Sequence, residues 1–210
     1  MMHNIGNVYC VGRNYRLHAE ELGNAVPESP MFFMKSTHAL AVMDGQPIEL
    51  PGNEGTIHYE AEVVIRMAKP YREGAPVDEL VDQFALGIDF TLRDVQDELK
   101  RKGHPWLKAK SFRHAAPITR FMPFPGVACA QEIPFALQIN GKEAQRGTLR
   151  QTIFNLQEIV DFCGSRYGLG EGDLIFTGTP AGVGPVSDGD RYSLLWDGKE
   201  LGNCTITLKR

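Results

Sequence analysis

Short runs in which apolar positions dominate or alternate with polar ones recur along this chain. They predict strands over 8–12, 31–34, 59–67, 84–90, 135–140, 173–177, 191–196 and 204–208, because successive strand side chains point to opposite faces. Asn140-Gly141, Asp188-Gly189 and Asp197-Gly198 have the composition of tight hairpin turns. Helical spacing is confined to 14–22, ending near Gly23, and to 77–83, 91–102 and 152–163. The third of these carries acidic residues early and Lys100-Arg101-Lys102 late, before Gly103, as the helix dipole and a glycine C-cap favour. Many strands with a few short helices predict an α+β, mostly β domain, without the regular βαβ alternation of a doubly wound sheet. Glycine and proline punctuate the chain with no long linker or repeat, so residues 1–210 read as a single domain.

Charge and composition act by exclusion. Twenty-two basic residues against 26 acidic ones give a formal net charge of −4, which argues against a nucleic-acid binder even with the basic stretch 100–113. No apolar run approaches the roughly 20 residues that cross a bilayer. No basic segment followed by an apolar core opens the chain, so neither a span nor a signal peptide is expected. Cys10, Cys129, Cys163 and Cys204 form no CxxC pair and are expected to be reduced, separately buried thiols of a cytoplasmic protein.

The candidate chemistry begins with Glu60 and Glu62 inside the predicted strand 59–67. Side chains at i and i+2 of a strand share a face, about 6–7 Å apart. Such a pair is either a solvated face or, among apolar neighbours, a wall for a cation. Asp89 either caps the helix that follows or supplies a third carboxylate. Three acidic oxygens suit Mg2+, Mn2+ or Ca2+. His18 and Glu21, i and i+3 on a predicted helix, form either a surface pair or a carboxylate-oriented general base. Arg93 and Gln96 share a helix face from which an anion can be bound, and Lys110 is placed to stabilise developing negative charge. The loop Thr177-Gly178-Thr179-Pro180-Ala181-Gly182 matches neither a dinucleotide nor a phosphate fingerprint. It is either a structural turn or a source of hydroxyls, from Thr177 and Thr179, for a substrate carboxylate.

The order of these clusters carries more than any one of them. Gly12-Arg13-Asn14-Tyr15, His18 and Glu21, Glu60-x-Glu62, Asp89, Arg93-Asp94-Val95-Gln96, Lys110-Ser111-Phe112 and Thr177-Gly178-Thr179-Pro180 resemble the fumarylacetoacetate hydrolase family over about residues 8–208. The likeness is to its short, single-domain acylpyruvate hydrolase-like members. It implies a β-roll of mixed sheets, a homodimer, and Mg2+ or Mn2+ on Glu60, Glu62 and Asp89, with Ca2+ as an inactive substitute. It also implies His18, Glu21 and Lys110 as catalytic residues, the first two on a lid. Arg13, Tyr15, Arg93, Gln96, Thr177 and Thr179 are then the expected substrate-binding residues. The expected activity is hydrolysis of a C–C bond in a 2,4-diketo acid, with the His18–Glu21 pair activating water. The same metal-enolate chemistry alternatively serves an oxaloacetate decarboxylase or tautomerase, or a hydroxymuconate-type isomerase or decarboxylase. A Ca2+-stabilised β-rich binding module is the non-enzymatic alternative. The expected partner is a small keto acid, with no nucleic acid and no membrane.

Overall fold

In a computed structural model, which describes residues 4–21 and 26–209, sixteen strands form three sheets. In chain order the first ten are β1 (Val8–Gly12), β2 (Met31–Lys35), β3 (Leu40–Val42), β4 (Asp44–Pro51), β5 (Ile57–Tyr59), β6 (Ala61–Met67), β7 (Val81–Ile88), β8 (Thr91–Leu92), β9 (Ala116–Ile118) and β10 (Met122–Pro123). They are followed by β11 (Phe135–Ile139), β12 (Lys142–Gly147), β13 (Leu174–Phe176), β14 (Gly184–Pro185), β15 (Arg191–Trp196) and β16 (Lys199–Lys209). The helices are α1 (Arg16–Glu21), α2 (Val77–Leu80), α3 (Arg93–Lys102), α4 (Leu107–Lys110), α5 (Val127–Ala130) and α6 (Leu156–Arg166). None of these helices is long and apolar enough to cross a membrane.

The largest sheet runs β2-β1-β13-β6-β7-β9-β3, with β10 added to β7. β6 lies inside it, antiparallel to both β13 and β7. Apolar residues on both faces of β6 are buried, which is why 61–67 reads as a nearly continuous apolar run rather than an alternation. A five-stranded sheet, β12-β11-β15-β16-β4, and a small one, β14-β5-β8, pack around it on one contiguous core. The parallel pairs β1–β13, β3–β9 and β4–β16 make two of the sheets mixed. The mostly β, mixed-sheet expectation therefore holds.

Several boundaries differ from the sequence reading, each for a local reason. The strand expected over 59–67 breaks at Glu60, between β5 and β6, which belong to different sheets. The helix expected over 91–102 begins only at Arg93, because Thr91 and Leu92 pair with β5 as a strand. Its N-cap is Leu92, so Asp89 caps nothing, while Gly103 closes it at φ 66° as expected. Val81–Gln83, expected to continue a helix, start β7 instead. α6 starts at Leu156 because Asn155 and Glu158 form a capping box there. Of the helix expected over 14–22, residues 16–21 are helical, and its end at Leu22 and Gly23 lies outside the described residues.

Two of the three turn predictions hold. Asn140-Gly141 joins β11 to β12 at φ 52° and 77°, and Asp197-Gly198 joins β15 to β16 at φ 50° and 73°, the left-handed pairs that tight hairpins require. Asp188-Gly189 does not make a hairpin. It turns the chain from β14 to β15, in different sheets, and Ser187 and Asp190 close that turn. β4 escaped the sequence pattern because it is a polar edge strand containing Pro47, held by parallel pairing with β16. Cys10, Cys163 and Cys204 are buried free thiols, but Cys129, on the short helix α5, is exposed.

One buried side chain fixes the loop that leads from β1 into α1. Asn14 donates to the carbonyls of Phe154 (3.1 Å) and Thr177 (2.9 Å) and accepts from the Phe154 amide (2.8 Å). It joins the segments before α1, before α6 and after β13. Asn14→Ala leaves one buried and two half-buried backbone groups unpaired, so a loss of about 2–4 kcal/mol is expected in urea unfolding. A change under 0.5 kcal/mol would show that these bonds do not hold the loop.

Candidate active site

Antiparallel pairing of β6 with β7 sets Ala61 opposite Ile88. This brings Glu60, just before β6, beside Asp89, just after β7, and the Asp89 amide donates to the Glu60 carbonyl at 2.8 Å. Glu62 lies on β6 itself. Each of the three offers a carboxylate oxygen within 4.8 Å of the others, and all three side chains are buried.

Three cations face this acidic cluster. Lys110 on α4 donates to Glu60 Oε2 (2.6 Å), Asp89 Oδ2 (2.7 Å) and the Thr91 hydroxyl (2.7 Å). Arg93 donates to Glu60 Oε1 and, at 2.8 Å, to Gln96. Lys35 lies 2.7 Å from Asp89 Oδ1, yet its protons go to the carbonyls of Phe90, Lys110 and Ala115. Asp89 Oδ1 is thus near a positive charge but has no hydrogen-bond donor. Burial raises the Glu60 pKa, but Lys110, Arg93 and His18 outweigh it and hold the carboxyl below its usual range. Glu62 goes the other way: burial, then the charges of Asp89 and Glu60, push it well up against one amide bond from Gly178.

This donor set fits a hard divalent cation. It offers carboxylate oxygens alone, and one of them lacks a hydrogen bond. The Glu62 carboxylate is disfavoured by its two acidic neighbours, a repulsion that a cation among them relieves.

A closed ring of hydrogen bonds holds the residue between the two glutamates. The Ala61 amide donates to Gln145 Oε1 (2.8 Å), and Thr179 Oγ1 donates to the Ala61 carbonyl (2.8 Å). Gln145 Nε2 bonds Thr179 Oγ1 and the Pro180 carbonyl, both at 2.9 Å. Gln145 belongs to β12, so the ring ties the second sheet to the strand break at Glu60. Gly178 sits in the same loop at φ 100°, where a Cβ would lie 2.7 Å from that of Asn14. Glycine is required there, and its amide reaches Glu62 Oε2 at 2.7 Å.

His18 on α1 is buried and lines the pocket beside the three carboxylates, while Glu20 is exposed. Glu21 comes within 3.6 Å of His18 Nδ1 and accepts from the Gly182 amide with both oxygens at 3.2 Å. Burial is the main reason that the His18 pKa is lowered, and Arg93 and Lys110 add to it against Glu60 and Glu21. Of the expected substrate residues, Arg13, Arg93, Gln96 and Thr179 line this pocket. Tyr15 and Thr177 do not: the Tyr15 hydroxyl donates to the Thr148 carbonyl and that of Thr177 to the Val63 carbonyl.

Lys35, Thr91, Lys100 and Gln145 belong to or support the site and were not singled out from the sequence. Lys35 had a signal, a lone cation closing the apolar run Met31-Phe32-Phe33-Met34. Lys100 shares a helix face with Arg93 and Gln96. Nothing local marks Gln145.

The family model described as Fumarylacetoacetate (FAA) hydrolase C-terminal matches residues 7–209. The chain belongs to the fumarylacetoacetate hydrolase family. Oxaloacetate tautomerase YcgM of Escherichia coli is 35% identical over 202 residues, covering 94% of this chain and 91% of its own. The mitochondrial oxaloacetate tautomerase FAHD1 of Homo sapiens is 40% identical over 187 residues, covering 88% and 84%. The crystal structure of fumarylpyruvate hydrolase from Pseudomonas aeruginosa, in complex with Mn2+ and pyruvate, superposes with a TM-score of 0.89 at 34% identity, covering 98% of this chain and 91% of that one. This chain is therefore an enzyme of a metal-dependent family. Both tautomerases correspond to the alternative raised from the sequence, oxaloacetate chemistry, rather than to C–C hydrolysis.

Two outcomes follow from the Glu62 environment. Its raised pKa means that ionisation destabilises the metal-free fold as pH rises through that value. Glu62→Gln should therefore raise the metal-free melting midpoint at pH 8, by about 2–4 °C per kcal/mol relieved, and change it little at pH 5, while abolishing Mn2+ binding. An unchanged midpoint at pH 8 would refute the repulsion. Mn2+ binding favours the ionised Glu62, so affinity should rise with pH, and calorimetry in buffers of differing ionisation enthalpy should show net proton release. Absence of release would refute the link between Glu62 ionisation and metal binding.

Proposed function

We propose that this chain is a Mg2+- or Mn2+-dependent enzyme that forms the enol of a 2-oxo acid, acting as an oxaloacetate keto–enol tautomerase. The observation that carries the choice of reaction is the pair of oxaloacetate tautomerases at 35% and 40% identity over most of the chain. The geometry supports enol chemistry more broadly, because a base and a fixed ammonium flank one acidic metal triad.

Glu60, Glu62 and Asp89 would hold the ion, which when bound supplies Lewis-acid polarisation of the substrate's 2-oxo group. The residues do the rest. His18, kept neutral by burial, takes a proton from the methylene carbon next to that group. The C–H electron pair becomes the new C=C bond, and charge moves onto the carbonyl oxygen. Lys110 remains charged, since Asp89 and Glu60 outweigh the effect of its burial and raise its pKa. Its three protons go to Glu60, Asp89 and Thr91, so it steadies the developing charge through its field. The enolate oxygen takes a proton from solvent water and protonated His18 returns its own to solvent, so the proton count is unchanged, and the reverse path returns the keto form. Glu21, anchored on the Gly182 amide, places its carboxylate 3.6 Å from His18 Nδ1, which has no hydrogen-bond partner among the described residues, and its charge favours the imidazolium that forms. Arg93 is itself held in place by Glu60 and Gln96.

C–C hydrolysis stays as the second reading because of the pyruvate-bound fumarylpyruvate hydrolase of similar structure. Stopped-flow absorbance of oxaloacetate enol and keto forms, beside hydrolysis of acetylpyruvate, decides between them. The expected result is metal-dependent tautomerisation, lost with chelator, that outpaces any hydrolysis. Faster acetylpyruvate cleavage would reverse the assignment. His18→Ala should lower kcat by about 10²–10⁴-fold. The wild-type rate from the keto side should fall as pH drops through a His18 pKa below 6.5, because the base must be neutral. A pH profile unchanged in His18→Ala would remove His18 from proton transfer.

A further inference from the structure

The pocket is more positive than one carboxylate and one ion require. Arg13, Arg93, Lys100 and Lys110 line it against the three carboxylates of the triad, before any charge on a divalent ion is added. Lys110 and Arg93 are engaged with those carboxylates. Arg13 and Lys100 are not. Among the described residues, Arg13 has no carboxylate within 4 Å, and Lys100 has only Asp97 at 3.6 Å, on its own helix.

The Lys100 side chain is held rather than left to wander in solvent, and the backbone of Arg13 is fixed. Arg13 sits at φ 57°, a conformation that a non-glycine residue keeps only when its surroundings impose it. The fully bonded Asn14 next to it does so. The Lys100 side chain is 25% exposed, with its ammonium 5.6 Å from the centre of the Trp106 ring. Burial lowers its pKa first, and Arg93 and Arg13 lower it further against Asp97, so like charges gather at this wall. On α3, residues 93, 96 and 100 fall on one face, which places Lys100 beyond Arg93 and Gln96.

We propose that Lys100 and Arg13 form a subsite for a second carboxylate, so that the pocket selects 2-oxo dicarboxylates over 2-oxo monocarboxylates. This rests on reading the pocket as one for 2-oxo acids. The 2-oxo acid head faces the metal triad, and the distal carboxylate neutralises the two cations that the triad leaves unpaired.

The test uses the full chain loaded with Mn2+. Calorimetry compares malate with 2-hydroxybutyrate, which share a 2-hydroxy acid head, while only malate carries a distal carboxylate. The wild-type chain is expected to prefer malate. Lys100→Met, which keeps a stem over Trp106, should reduce that preference about 10- to 100-fold, the range for one charge-assisted contact. Lys100→Arg should restore most of it. Equal weakening of both ligands, no change in Lys100→Met, or no wild-type preference for malate overturns the subsite. Turnover of oxaloacetate against acetylpyruvate gives a second arm, and Lys100→Met should lower the ratio of their kcat/KM values. If neither is turned over while a Lys100-dependent malate preference persists, the tautomerase reading fails and the subsite stands.

Discussion

Three carboxyl groups lie together, buried from solvent. Two unit charges 4 Å apart repel by about 4 kcal/mol at the effective dielectric typical near protein surfaces, and each of these carboxyls has two acidic neighbours within 4.8 Å, which is part of why Glu62 resists ionisation. The fold meets this by sending cations from separate elements to one point: Lys35 from β2, Arg93 from α3 and Lys110 from α4. Lys35 does more than balance charge. By donating to the carbonyls of Phe90, Lys110 and Ala115, it ties an edge strand of the large sheet to both segments that flank α3 and α4. The positions of the short helices thus follow from an electrostatic need at the centre.

The other half of the arrangement is a break in a strand. Had 59–67 stayed continuous, Glu60 and Glu62 would share a face with their carboxylates side by side. The chain instead leaves the small sheet at Tyr59 and joins the large one at Ala61, and both backbone groups of Ala61 are taken by side chains. Gln145 and Thr179 supply what a ladder would otherwise provide. A metal site at a sheet junction gains freedom to aim its ligands, and it needs this replacement bonding to keep them aimed. The loop carrying Thr179 also carries Gly178, so the segment that holds the backbone also holds the Glu62 carboxylate.

What the sequence made legible follows from the range of each interaction. The acidic residues, the His18–Glu21 spacing and the Arg93–Gln96 face are local patterns, and the structure brings the three acids, His18, Arg93 and Gln96 to one pocket, with Glu21 beside His18. The two hairpins at Asn140-Gly141 and Asp197-Gly198 are local as well. Asp188-Gly189 shows the limit, since the dipeptide favours a turn but cannot say whether the strands on either side pair. Thr177 and Tyr15 were read as substrate residues because a hydroxyl in a motif is visible, whereas the backbone carbonyl that receives its proton is not. Gln145 and Lys35 act at sequence separations of 84 and 55–80 residues, beyond any local pattern.

The same reasoning explains why α3 rather than a loop carries much of the pocket wall. Its first turn is fixed twice from outside: the Arg93 amide donates to the Thr56 carbonyl at 2.8 Å, and Asp94 accepts from the Thr56 amide at 3.1 Å. Arg93 is then locked onto Glu60, so the helix is referenced to the metal triad itself. From that anchor a rise of 1.5 Å per residue places the Lys100 backbone about 10 Å further along the axis. A rigid rod with one end on the triad converts distance from the ion into position along a helix face. Charge at Arg93 stabilises the acidic cluster, while charge at Lys100, where no ligand carboxylate lies within reach, is left for whatever the substrate carries at its far end.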